Sequence, residues 1–228
     1  MNKKIVFVHF PKSGGVSIRN GLQDSEMADD FIPHYTDDPV DPNSPVNQDL
    51  KKSRELAQAL ASRQRYIIYG HFASRSFSNI DYDHMFTIIR HPIPWLTSLY
   101  NYWSKLCAQA KPGHQNFQTF CDSKLSISEL LNIKEIREIY TSTYFRDTNY
   151  EDFSFVGTHE QYHESVHAIQ KILEIRFAIK FDNQGSNLFH WNNLKFNQRL
   201  SIRSKLKSEI QLYDYWNARA SRAMAKIR

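Results

Sequence analysis

The chain reads as an α/β protein, a parallel sheet flanked by helices in three layers, and two patterns together with the composition predict it. Strand-like runs near residues 4–10, 65–71, 85–90, 153–157 and 176–180 alternate with helix-like stretches near 15–23, 50–62, 92–107, 127–145, 159–174 and 201–227. Such alternation gives parallel strands joined by helical crossovers. The runs Ile5-Val6-Phe7-Val8 and Met85-Phe86-Thr87-Ile88-Ile89 read as buried strands. With 228 residues, 41% hydrophobic and 14% aromatic, the chain can bury a substantial core, and with no clear linker one domain over 1–228 is expected. Ligands of such sheets bind beyond the carboxyl ends of the strands. Lys12, His71, Arg90 and Gly157, all at predicted strand ends, should therefore converge on one crevice.

The first strand breaks at Pro11-Lys12-Ser13-Gly14-Gly15-Val16-Ser17 into the first helix. That segment suits a phosphate. Two glycines let backbone N–H groups approach an anion, the helix start adds unpaired N–H groups and a positive dipole end, and Lys12 adds full charge. Ser13 and Ser17 can donate further hydrogen bonds. Lys12 precedes both glycines, unlike the lysine of G-x-x-x-x-G-K-[ST]. Residues 33–49, with Pro33, Pro39, Pro42 and Pro45 among Asp37, Asp38 and Asp41, read as an irregular loop, either a surface connection or a cover for a substrate.

After the helix over 50–62, Arg65-Tyr66-Ile67-Ile68-Tyr69-Gly70 reads as a strand delivering His71-Phe72. Arg75 just beyond it reads as an exposed arginine. The strand His84 to Arg90 places Arg90 at its carboxyl end, and Pro92 marks the first turn of the next helix. The polar stretch Cys107 to Ser126 reads as a surface connection or a second cleft wall. Beyond the helix over 127–145, Phe153-Ser154-Phe155-Val156-Gly157 forms a strand and turn. Tyr162, Ser165, Ile169, Ile172 and Leu173 then mark a helix packed on the sheet.

Three segments together carry a resemblance. The loop with lysine ahead of its glycines resembles the 5′-phosphosulfate loop of sulfotransferases that use 3′-phosphoadenosine 5′-phosphosulfate (PAPS). Arg90-His91-Pro92 with Ser98 and Tyr100 resembles that family's R-x-P-(x)5-S-x-Y signature, although Trp95 stands where many relatives have a second arginine. Phe155-Val156-Gly157-Thr158-His159-Glu160 resembles its F-V-G-x-x-E turn. Gly70-His71-Phe72 makes the likeness closest to the carbohydrate 2-O-sulfotransferase branch, whose catalytic histidine occupies the place of His71. The resemblance implies a P-loop-like sulfotransferase fold. Lys12 to Ser17 would hold the 5′-phosphosulfate, Arg90 and Ser98 the 3′-phosphate, and the turn at Gly157 would lie near the adenosine. It also implies a hydroxyl acceptor, by preference a carbohydrate, and adenosine 3′,5′-bisphosphate as product. Lys195, Asn197 or Arg199 would close over the 3′-phosphate side.

The chemistry fits those residue types. A histidine with an ordinary pKa of about 6.5 suits removal of a hydroxyl proton, and a cation beside the departing oxygen stabilises charge that grows in the transition state. His71 is the candidate base and Lys12 the candidate cation, with His9, His91, His159 and Glu160 as other candidate bases. No metal is expected: the two cysteines form no C-x-x-C.

A formal net charge of +5 suits an anionic partner. It leaves two other readings open, a nucleotide kinase-like phosphotransferase and a noncatalytic nucleic-acid-binding protein, but no nucleic-acid motif accompanies the charge. Met1 to Lys4 leads straight into the first strand, and no run of about 18 apolar residues occurs, so neither a signal peptide nor a membrane helix is expected. Two cysteines are too few for a disulfide scaffold and read as free thiols. A cytoplasmic, bacterial enzyme is the resulting expectation.

Overall fold

A computed structural model describes residues 3–178 and 189–227. In chain order the elements are β1 (Lys4–Val8), α1 (Gly15–Gln23), β2 (Phe31–Pro33), α2 (Pro45–Gln48), α3 (Leu50–Leu60), β3 (Tyr66–Gly70) and β4 (His84–Ile89). There follow α4 (Pro92–Ala108), α5 (Gln115–Ser123), α6 (Ile127–Leu130), α7 (Lys134–Arg137), β5 (Phe155–Thr158), α8 (Tyr162–Leu173), α9 (Phe196–Lys205) and α10 (Lys207–Ile227). The five strands form one all-parallel sheet in the order β2-β3-β1-β4-β5.

Alternation along the central strands divides the core into two layers. Ile5 and Phe7 of β1 and Ile67 and Tyr69 of β3 face α1 and α8, where Ile18, Leu22, Val166, Ile169 and Leu173 cover them. Val6, Val8, Tyr66 and Ile68 face the opposite way, onto Ala57 of α3 and Trp95, Leu96 and Leu99 of α4. Because both faces are covered, the central strands are apolar throughout, as parallel strands must be. The helix leaving β1 thus lies on one face and the helix leaving β4 on the other, although β1 and β4 are neighbours. Connections that part in this way open a crevice at the carboxyl ends of those two strands.

Several expectations are corrected. Ile175 to Ala178 form no strand, and the remainder of the strand expected over 176–180 lies outside the described residues. The fifth strand is instead β2, three residues long, on the sheet edge beside β3. The helix expected over 127–145 is broken into α6, α7 and a π-helical turn over Ile139–Tyr144. Ser126 and Glu129 form a capping box that fixes the start of α6. The buried Glu209 carboxylate accepts the Tyr140 and Thr141 backbone N–H groups at 2.6 and 3.3 Å, donors that a continuous helix would use internally. The closing helix starts earlier than expected and bends into α9 and α10 around Leu206. The polar stretch after α4 contains α5, and Cys107 is joined to Cys121 by a disulfide rather than carrying a free thiol. The turn that lays α5 against α4 brings the pair together, and residue counting cannot show such a turn. No described helix is long and apolar enough to cross a membrane.

Candidate active site

The segment after β1 is shaped by close packing. Gly14 has φ 84° and stands as N-cap of α1. A Cβ built there would lie 2.6 Å from the Tyr162 ring, whose hydroxyl donates to the Gly14 carbonyl at 2.7 Å. A Cβ on Gly15 would lie 2.0 Å from His9 Nε2 and 2.6 Å from the Tyr69 hydroxyl, which donates to the Gly15 carbonyl at 2.6 Å. Both positions therefore require glycine. Lys12 itself has φ 62°, a left-handed conformation that a lysine holds only where its surroundings impose it. Trp95 of α4 donates Nε1–H to the Pro11 carbonyl at 3.1 Å and clamps the preceding turn.

Lys12 and Arg90 meet at the β1–β4 crevice. Arg90 Nη1 donates to the Lys12 carbonyl at 3.2 Å, and the Lys12 ammonium lies 4.2 Å from the centre of the Tyr102 ring. Burial lowers the Lys12 pKa and the Arg90 charge lowers it further; burial also lowers that of Arg90, against the pull of Glu160. Among the described residues neither cation has a carboxylate within ion-pair distance. Among the described residues Arg90 Nε and the buried Ser13 hydroxyl find no hydrogen-bond partner. Two half-buried cations, an unsatisfied hydroxyl and a helix start together fit a ligand with more than one anionic group.

The backbone around Arg90 is braced from behind. The Tyr140 hydroxyl accepts the Arg90 N–H and donates to the Arg90 carbonyl. Glu160 accepts the His91 N–H at 3.0 Å and the Tyr213 hydroxyl at 2.7 Å, so its carboxylate is occupied in holding the start of α4 and is a poor candidate base. His91 caps α4 through its ring, accepting the Ile93 N–H at 3.3 Å. Ser98 shares the α4 face of Trp95 and Tyr102, at helical spacing, and that face borders the Lys12 loop. Gly157 stands lower in β5, paired with Ile88; a Cβ there would meet Ser165 of α8 at 2.7 Å, so helix packing accounts for the glycine.

His71 follows β3 on the α1 side of the sheet, with Tyr69 and Ile67. The His9 N–H donates to the Gly70 carbonyl at 2.8 Å, and the His9 and His71 ring centres are 4.6 Å apart. His71 Nδ1 is 3.1 Å from Asp38 Oδ2, and its Nε2 has no partner among the described residues. His9 is buried, and burial first, then the charges of His71, Arg19 and Lys12, lower its pKa well below the ordinary value, so it is neutral at neutral pH. Burial lowers the pKa of His159, as does Arg90.

Asp38 escaped the sequence reading. The chain beyond β2 stays beside β3: the His34 N–H donates to the Tyr69 carbonyl at 2.9 Å, and Asp37 bridges to Phe72. A Cβ on Gly70 would strike the His34 carbonyl at 1.6 Å, which is why glycine precedes His71. The buried Asp37 carboxylate receives the Val46 N–H at 2.6 Å and the Ser53 and Ser76 hydroxyls at 2.5 and 3.2 Å, fixing a segment that sequence reads as irregular. Arg75, expected to be exposed, is buried and donates to the Val46 carbonyl at 3.0 Å.

No family model matches the chain, and no curated protein matches it. Among solved structures, one described as a sulfotransferase from Alicyclobacillus acidocaldarius is similar in outline. It aligns over 92% of this chain and 96% of its own, with a TM-score of 0.43 and 11% identity. A likeness that distant says nothing of activity, and the chemistry has to come from the side chains of this chain.

Proposed function

We propose that the chain is a PAPS-dependent O-sulfotransferase that moves a sulfuryl group to a hydroxyl, by preference of a carbohydrate, as the likeness to the 2-O branch suggests. One observation carries it: the Lys12 and Arg90 cations, without a carboxylate within ion-pair distance among the described residues, sit together at the ends of neighbouring strands. Residues 12–17 would hold the 5′-phosphosulfate, with Ser13 donating the hydroxyl that lacks a partner among the described residues. Arg90 and Ser98 would grip the 3′-phosphate, a group that distinguishes this nucleotide from a kinase's. The strand end at Gly157 and the turn beyond it would border the adenosine.

His71 Nε2 would accept the acceptor's hydroxyl proton as its oxygen bonds to sulfur, while the bond from sulfur to the bridging phosphate oxygen breaks. Lys12 would stabilise the charge left on that oxygen. Tyr35, edge-on to His71 at 5.1 Å, and Tyr102 under Lys12 are 37% and 45% exposed, and suit a ring-shaped acceptor. Calorimetry without magnesium tests the reading. Adenosine 3′,5′-bisphosphate should bind at least tenfold more tightly than adenosine 5′-phosphate; a preference for ATP with magnesium, or only salt-steep binding of DNA, would refute it. A panel of sugars and phenols with labelled donor then identifies the acceptor.

A further inference from the structure

We infer that Asp38 is a positioning residue for His71, holding the imidazole with its proton on Nδ1 so that the Nε2 lone pair is free. The role of that lone pair rests on the transferase reading; the tautomer does not. The Asp38 side chain is fixed on both oxygens: Oδ1 accepts the Val40 N–H at 3.0 Å and lies 3.4 Å from the Tyr144 hydroxyl, and Oδ2 meets His71 Nδ1 at 3.1 Å. Its neighbour Asp37 is pinned by three hydrogen bonds, so the carboxylate is carried on a rigid support. Burial alone would push the Asp38 carboxyl up, but the hydrogen bond and charge of His71 and the Val40 N–H hold it below the ordinary value. It is therefore ionised at neutral pH. An ionised carboxylate only accepts, so Nδ1 must be the donor, and in the neutral ring Nε2 is then the acceptor.

That nitrogen is buried and has no partner among the described residues. One ring nitrogen is thus committed to Asp38, while the other is enclosed and left available. During proton transfer the hydroxyl proton would pass to Nε2, His71 would become imidazolium, and Asp38 would remain ionised beside it. The groups facing this pair are His9 and Tyr35 against the His71 ring, and His114 and Tyr144 toward Asp38. Arg19 and Lys12 act on His9 from behind. His9 is neutral, so Asp38 is the anion that favours the His71 imidazolium.

The tautomer can be read without any acceptor. Long-range 1H–15N spectra of the 15N-labelled full chain, with His71→Ala to assign the signals, should show His71 protonated on Nδ1 above its titration. In Asp38→Asn the proton should shift toward Nε2, because the side-chain amide can donate to Nδ1. With an acceptor in hand, D38N should lower kcat by about 10- to 1000-fold, leave KM for the donor within about twofold, and shift the acid limb of the pH profile, with D38E recovering part of the rate. An Nε2–H tautomer in the wild type, or an Nδ1–H tautomer unchanged in D38N, overturns the assignment. Should D38N not fold, the wild-type spectrum alone decides. Nucleotide calorimetry on the same sample reads the donor site separately, so a failed tautomer with intact bisphosphate binding would remove Asp38 and leave the transferase.

Discussion

Arg90→Lys keeps the charge at position 90 and removes the fork. In the structure Nη1 is committed to the Lys12 carbonyl at 3.2 Å, while Nε has no partner among the described residues. The edge formed by Nε–H and Nη2–H is therefore open for a two-pronged contact with a phosphate. A hydrogen bond to a charged group is worth about 1.5–3 kcal/mol, and a lysine ammonium can replace one of the two. The loss is then about 1.5–3 kcal/mol, or roughly 10- to 150-fold in Kd for adenosine 3′,5′-bisphosphate. Half-burial keeps salt from screening most of it. Adenosine 5′-phosphate lacks the group and should bind within about twofold of wild type. Calorimetry of both nucleotides on both proteins closes a thermodynamic cycle. Equal weakening of the two would mean that Arg90 acts through the Lys12 carbonyl by holding the loop. No weakening of either would remove Arg90 from the nucleotide site altogether.

Gly15→Ala places a methyl 2.0 Å from His9 Nε2 in a packed layer, so thermal unfolding should show a loss of about 1–3 kcal/mol, and an unchanged midpoint would contradict the packing. Burial lowers the pKa of both His9 and His34, so below about pH 6.5 the unfolded chain takes up protons that the native chain refuses. Stability should be full above that pH and fall as pH drops through it, by up to about 1.4 kcal/mol per pH unit for each histidine; a flat urea midpoint between about pH 7 and 5 would refute this. Cys121→Ser opens a loop closed over a separation of 14 residues and should cost about 3 kcal/mol in urea titration. Dithiothreitol should lower the wild type toward the variant and leave the variant unmoved, and equal sensitivity of the two would argue against the pairing.

The elements legible in the sequence are those whose signal is local and repeated. The run Ile5 to Val8, the break at Lys12 to Gly15 and the Pro92 start of α4 each combine an apolar run with a punctuating residue, and their positions agree with the structure. β2 was illegible because three residues carry no periodicity and Pro33 reads as a breaker. Losing β2 also hid Asp38, since only the pairing of that edge with β3 brings residues 34–38 alongside Gly70 and His71. The π-helical turn was illegible for a similar reason: its hydrogen-bond acceptor, Glu209, lies 69 residues away. The glycines gave mixed signals. Gly14 and Gly15 mark the loop as sequence suggests, whereas Gly70 and Gly157 answer to the His34 carbonyl and to Ser165, contacts that exist only in the folded sheet.

The position of Lys12 shows why a lysine occupies a conformation that would suit glycine better. At φ 62° its carbonyl meets the Arg90 guanidinium while its ammonium reaches the Tyr102 ring, so one residue both orients the neighbouring cation and keeps its own charge available. A glycine would relieve backbone strain of the order of 1–3 kcal/mol but would supply only the carbonyl. The same geometry brings two positive charges together in a half-buried place where burial lowers the proton affinity of both and the Arg90 charge lowers that of Lys12 further. No carboxylate of the described residues lies within ion-pair distance of either cation, and only Glu160 pulls on Arg90 from further off. Both costs would fall if an anion with charge at each end entered between β1 and β4, as in the proposed complex, where its 5′ group would answer Lys12 and the helix start and its 3′ group Arg90. A monoanion would answer one end alone, and so the arrangement selects a ligand by the spacing of its charges rather than by total charge.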